Sequence, residues 1–135
     1  MQVPTRPDGR SAADVVFASL LEGARALPGV THAAIANCLP LSDACDRTGM
    51  DIEGRPIGAG EPKPEVAMNM VSGGYFDAAG IPLVAGRAIA DSDRAGAKRV
   101  ALVSESAARR YWPDGGALGA RVQLAVGWGD ENDWA

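Results

Sequence analysis

The stretch RVALVSESAARRYWP, residues 99–113, decides how the chain is read. Arg99 to Val103 is a compact apolar run and predicts a strand. Ser104 then stands where a helix begins, and its hydroxyl can accept one of the first-turn N–H groups that have no partner inside the helix. Ala107, Ala108, Tyr111 and Trp112 recur at helical spacing as an inward stripe, and Pro113 ends the helix because it has no N–H to donate. Strand, cap, helix and stop thus follow one another directly.

Downstream, Gly115, Gly116 and Gly119 make a turn into a second alternating run, Arg121 to Val126, with Val122, Leu124 and Val126 on one face. Upstream, Ser72 is placed to cap a short helix carrying Tyr75, Phe76 and Ala79, which Gly80 and Pro82 terminate. Before it, Glu65 to Val71 alternates as a strand, with Val66, Met68 and Met70 on one face. Gly54, Pro56, Gly58, Gly60, Pro62 and Pro64 form a Gly/Pro-rich connection over residues 54–64, preceded by the strand Arg47 to Glu53 with Met50 and Ile52 on one side. Val30 to Asn37 reads as a further short strand. The chain's longest helix starts at a Ser11/Asp14 capping box, carries Val16, Leu20, Ala24 and Leu27 as its buried stripe, and stops at Pro28 and Gly29. Strands interleaved with three helices, of which only the first is long, predict an α+β fold with a mixed sheet. The expected core is Leu20, Leu27, Ile35, Phe76, Leu83, Val100, Leu102, Trp112 and Val122.

The 135 residues fit one domain over 1–135, with enough apolar content (47%) to fold. A net charge of -4 and the absence of any basic run argue against a nucleic-acid partner. No stretch reaches the roughly 20 apolar residues of a membrane span, and MQVPTRPDGR lacks the basic and apolar regions of a signal peptide.

Chemistry-bearing patterns are sparse. His32, Cys38 and Cys45 fit no zinc spacing, and His32 reads as a partly exposed strand residue. Asp91-Ser92-Asp93-Arg94-Ala95-Gly96 imitates the start of a calcium loop, but Ala95 and Leu102 occupy ligand positions. Ser104 and Ser106 lack the glycines of a nucleophile elbow. No phosphate-binding glycine motif is complete, and Asp130, Glu131 and Asp133 read as a solvated tail. No catalytic residue, cofactor or metal ligand is therefore expected. Cys38 and Cys45 share a loop: in an oxidising compartment they close a short disulfide, and in a cytosol they are small buried hydrophobes.

Six segments in order carry a resemblance. They are Ala26-Leu-Pro-Gly-Val30 after the amphipathic helix, Leu39-Pro-Leu-Ser42, Ile52-Glu-Gly-Arg-Pro56, Val71-Ser-Gly-Gly-Tyr-Phe76, Gly80-Ile-Pro-Leu-Val-Ala-Gly-Arg87, and Val100 through Leu124. Together they resemble the MacB-like periplasmic core domain of FtsX-like and MacB-like ABC-transporter permeases, with a pattern similar to that of the duplicated permeases. The resemblance implies a ferredoxin-like porter-type subdomain plus a smaller β-rich one, and a fragment truncated at both ends. It also implies a position between transmembrane helices on the periplasmic side of the bacterial membrane, with ATP hydrolysis on a separate domain or subunit. The expected role is non-catalytic: relaying ATP-driven motion of the same chain's transmembrane helices to an extracytoplasmic partner or exported substrate. Cys38 and Cys45 depart from the small polar residues expected of relatives at those places. Two rival readings stand beside this one. The first is a stand-alone soluble small-ligand-binding protein with a pocket between the sheet and the loop Gly54 to Pro64. The second is a small hydrolase using Ser104 or Ser106.

Overall fold

The structure is a computed structural model, and it describes residues 12–39, 42, 45–58, 60–93 and 97–125. In chain order its elements are helix α1 (Ala12–Arg25), strand β1 (Asp46–Ile52), strand β2 (Glu65–Met68), helix α2 (Tyr75–Ala79), helix α3 (Glu105–Tyr111) and strand β3 (Val122–Leu124). The α+β class stands. The Ser11 half of the capping box, Val126 and the acidic tail lie outside the described residues.

Strand β1 organises the molecule. Thr48, Met50 and Ile52 point inward, while Asp46 and Arg47 are exposed, the period-2 pattern of a strand with one covered face. It is the central strand of the order β2-β1-β3. Asp46 to Gly49 pair antiparallel with Met68 to Glu65, and Met50 to Ile52 with Leu124 to Val122. A mixed sheet was expected; among the described residues the sheet is antiparallel throughout, because both partners of β1 run against it.

The core forms where β1 and β3 meet the end of α3. Met50, Ile52, Trp112 and Val122 are buried together, with Val66, Tyr111, Ala117, Ala120 and Leu124 packed around them. The Ser104 hydroxyl accepts the Ala107 N–H at 3.2 Å, so the predicted cap forms, and the helix it starts delivers Trp112 into the core just past its last residue. Helix α2 is capped by Gly74 rather than by Ser72, whose side chain is engaged elsewhere, and ends at Gly80 in the left-handed conformation (φ 65°) that a side chain would disfavour.

The remaining core expectations divide. Ile35, Phe76, Val100 and Leu102 are half-buried, but Leu20 (61% exposed), Leu27 (59%) and Leu83 (41%) are not core residues. Val16, Leu20 and Leu27 do align along one side of α1 and the turn after it, as the spacing predicts, yet no described element covers them. Arg25, on another side, makes the tertiary contacts: its guanidinium donates to the carbonyls of Ala33 and Gly73, each at 3.3 Å. Among the described residues Arg99 to Val103 alternates in burial but joins no ladder, and Val30 to Asn37 contributes only the bridge between Ala36 and Val71.

Candidate functional site

The densest polar arrangement joins residues 35–38 to residues 69–72. Ser72 Oγ accepts the Ile35 N–H at 2.9 Å while the Ser72 N–H donates to the Ile35 carbonyl. Asn37 repeats the device: its N–H donates to the Met70 carbonyl, and its Oδ1 accepts the Met70 N–H at 2.7 Å. Asn69 then clamps Cys38 from both sides, accepting the Cys38 N–H at 3.4 Å and donating Nδ2 to the Cys38 carbonyl at 3.0 Å, with the same Nδ2 3.3 Å from the Tyr75 hydroxyl. Side chains here do what a regular ladder would otherwise do.

Cys38 and Cys45 are joined in this structure as a disulfide with Cα atoms 5.2 Å apart. Cys38 is buried at 5% exposure, Cys45 is half-buried, and Cys45 immediately precedes β1. Sequence reasoning named both cysteines but missed Asn37 and Asn69, and it gave Ser72 the role of a helix cap rather than that of a partner to Ile35. The signal lay in their residue types: Asn is disfavoured inside strands unless its side chain takes over a backbone role.

A second clamp shapes the loop after α2. Arg87 forms a bidentate pair with Asp93, Nη1 to Oδ2 at 2.6 Å and Nη2 to Oδ1 at 2.8 Å, and the Ala90 N–H donates to Asp93 Oδ2. These hydrogen bonds hold the Asp93 carboxyl down at about 2, with Arg87 as the larger cause, and they raise the guanidinium in return. Asp93, one of the two acids of the calcium-loop imitation, thus has both carboxylate oxygens engaged by Arg87. Neighbouring Asp91 backs onto buried Gly73, where a Cβ would run into its carboxylate.

The other sequence candidates are not brought together into a catalytic arrangement. His32 is exposed on the segment before Ile35. Ser104 is committed to its cap, and its hydroxyl lies 3.0 Å from that of Ser106, both exposed. Among the described residues no three His, Cys, Asp or Glu side chains are grouped to hold a metal ion. Beside the Gly/Pro-rich connection, Asp51, Ile52, Arg55, Pro56, Ile57 and Gln123 line a depression open to solvent, where Arg55 donates to the Tyr111 carbonyl. It is a shallow surface feature, which does not favour the small-ligand reading. Apolar surface is instead exposed on α1, at Val16, Phe17 and Leu20, and along the loop at Ile81, Leu83 and Val84. No helix among the described residues is long and apolar enough to cross a membrane.

The domain is thus α+β, with exposed apolar surface and a stitched polar junction. Its class is that of a periplasmic domain of ABC-transporter permeases: the family model for the MacB-like periplasmic core domain matches residues 4–130. The chain belongs to that family. Comparison with curated proteins and with solved structures found no match.

Proposed function

We propose that the chain is a non-catalytic relay domain of an ABC-transporter permease. In this reading it passes ATP-driven motion from transmembrane helices of the same permease to an extracytoplasmic partner or exported substrate, while an ABC ATPase domain or subunit hydrolyses the nucleotide. The family match over residues 4–130 carries the reading. The exposed apolar stripe of α1 supports it, since an uncovered stripe of this kind is characteristic of surfaces that work against another layer.

Within the same reading the domain spans 1–135 as a fragment of the permease, truncated at both ends. Its β2-β1-β3 sheet corresponds to the smaller β-rich subdomain, and α1, α2 and the segments 30–37 and 99–103 belong to a ferredoxin-like porter-type subdomain. Residues 54–64 act as the connection, and every described residue from Gly54 to Lys63 is exposed, as a connection requires. The Cys38–Cys45 disulfide fits an oxidising periplasm.

The test is to blot soluble and membrane fractions of the producing cells with an antibody to this domain. A membrane-bound band much larger than 13.9 kDa is expected. A soluble band near that mass overturns the permease reading.

A further inference from the structure

We infer that the Cys38–Cys45 disulfide is a redox-sensitive latch that locks residues 35–38, and with them residues 69–72, to the start of β1. The connectivity closes a circuit. Cys45 precedes Asp46, Asp46 pairs with Met68, Met68 precedes Asn69, Asn69 holds both backbone polar groups of Cys38, and Cys38 is bonded back to Cys45. Each link but one is a set of hydrogen bonds or a peptide bond; the remaining link is the disulfide. The inference stands on this geometry and does not depend on the permease reading.

Two observations make the bond a local latch rather than a staple of the whole fold. The core residues Met50, Ile52, Trp112 and Val122 gather toward the opposite end of β1 and do not include Cys38. The pairing of β1 with β2 involves neither cysteine. What reduction removes is the only covalent shortcut between β1 and the 35–38 segment, which is then held by backbone and side-chain hydrogen bonds to residues 69–72 that water can replace.

The exchange chemistry is ordinary. A thiolate of a dithiol reductant attacks the more accessible Cys45 sulfur, Cys38 leaves as a thiolate and takes up a proton, and the reductant's second thiol displaces Cys45. Two electrons and two protons pass to the cysteines, and the reductant departs as its disulfide.

Amide hydrogen exchange by NMR tests the latch, using the 135-residue chain oxidised and then reduced with dithiothreitol. Opening a ring with a sequence separation of only 7 relaxes the unfolded chain and accelerates every globally exchanging amide by a shared factor of at most roughly 60-fold. A latch predicts that the amides of Ile35, Asn37, Cys38, Met70 and Ser72 accelerate at least about tenfold beyond whatever the Met50, Glu53 and Trp112 amides show. Equal acceleration at all of these amides, or none, overturns the inference, as does loss of protection everywhere. Asn69→Ala in the oxidised chain gives a second reading. With the bond intact the Ile35, Asn37, Met70 and Ser72 amides stay protected if the disulfide is the latch, and their loss of protection assigns the lock to Asn69 instead; the Cys38 amide loses its acceptor in this variant and is left out of the comparison.

Discussion

Trp112→Ala measured beside Leu20→Ala tests the architecture most directly, because both residues read as core in the sequence and the structure separates them. Trp112 is 7% exposed and is the largest of the four residues that form the buried cluster, so its truncation leaves a cavity that β1 and β3 can close only by moving. Aromatic-to-alanine changes at such sites cost about 3–5 kcal/mol. Unfolding entropy of about 2.1 cal/mol/K per residue, over 135 residues, makes a loss of about 4 kcal/mol a fall in Tm of about 14 °C. Leu20 is 61% exposed, so Leu20→Ala belongs with surface substitutions, within about 0.5 kcal/mol and about 2 °C. Thermal unfolding of the two variants by circular dichroism, with urea midpoints as a check, reads the difference. A Leu20→Ala loss equal to that of Trp112→Ala would show the α1 stripe to be buried in solution and refute the reasoning. A Trp112→Ala loss under about 1 kcal/mol would refute the placement of the core.

Asp93 has its carboxyl held at about 2, below its ordinary 3.8, so its contribution is complete above the ordinary value and disappears as pH falls through the interval between the two. Asp93→Asn is accordingly expected to flatten the acid limb of stability between pH 4 and 2 relative to the unaltered chain, and an unchanged limb would remove Asp93 from the acid response. Ser104→Ala deletes the hydroxyl that accepts the Ala107 N–H and is expected to lower stability by about 1 kcal/mol, read as a urea midpoint shift with an unchanged slope. Ser104→Asp, which can cap equally well, is expected to restore it.

What was legible in the sequence is what short-range chemistry decides. Ser104 capping, the stop at Pro113, the left-handed position at Gly80 and the shared face of Met50 and Ile52 each depend on neighbours within a turn or a strand, and each is found in place. The Asn69 clamp on Cys38 joins positions 31 residues apart, and the choice of Asn37 and Ser72 as substitute ladder groups depends on which segment lies alongside. No local pattern holds that information. The cysteines were visible as a pair in one loop, but that their bond completes a circuit through β1 and β2 follows only from the register Asp46 to Met68.

The burial expected of α1 fails for one physical cause. Helical spacing correctly identifies Val16, Leu20 and Leu27 as one stripe; what periodicity does not specify is the layer that receives it. Around β1 that layer exists, since β2, β3 and Trp112 meet it, and there Met50, Ile52, Trp112 and Val122 are buried on the faces the sequence reading assigns them. On α1 the same kind of pattern meets no described element, so Val16, Leu20 and Leu27 stay exposed. The disagreement therefore concerns the partner and not the pattern.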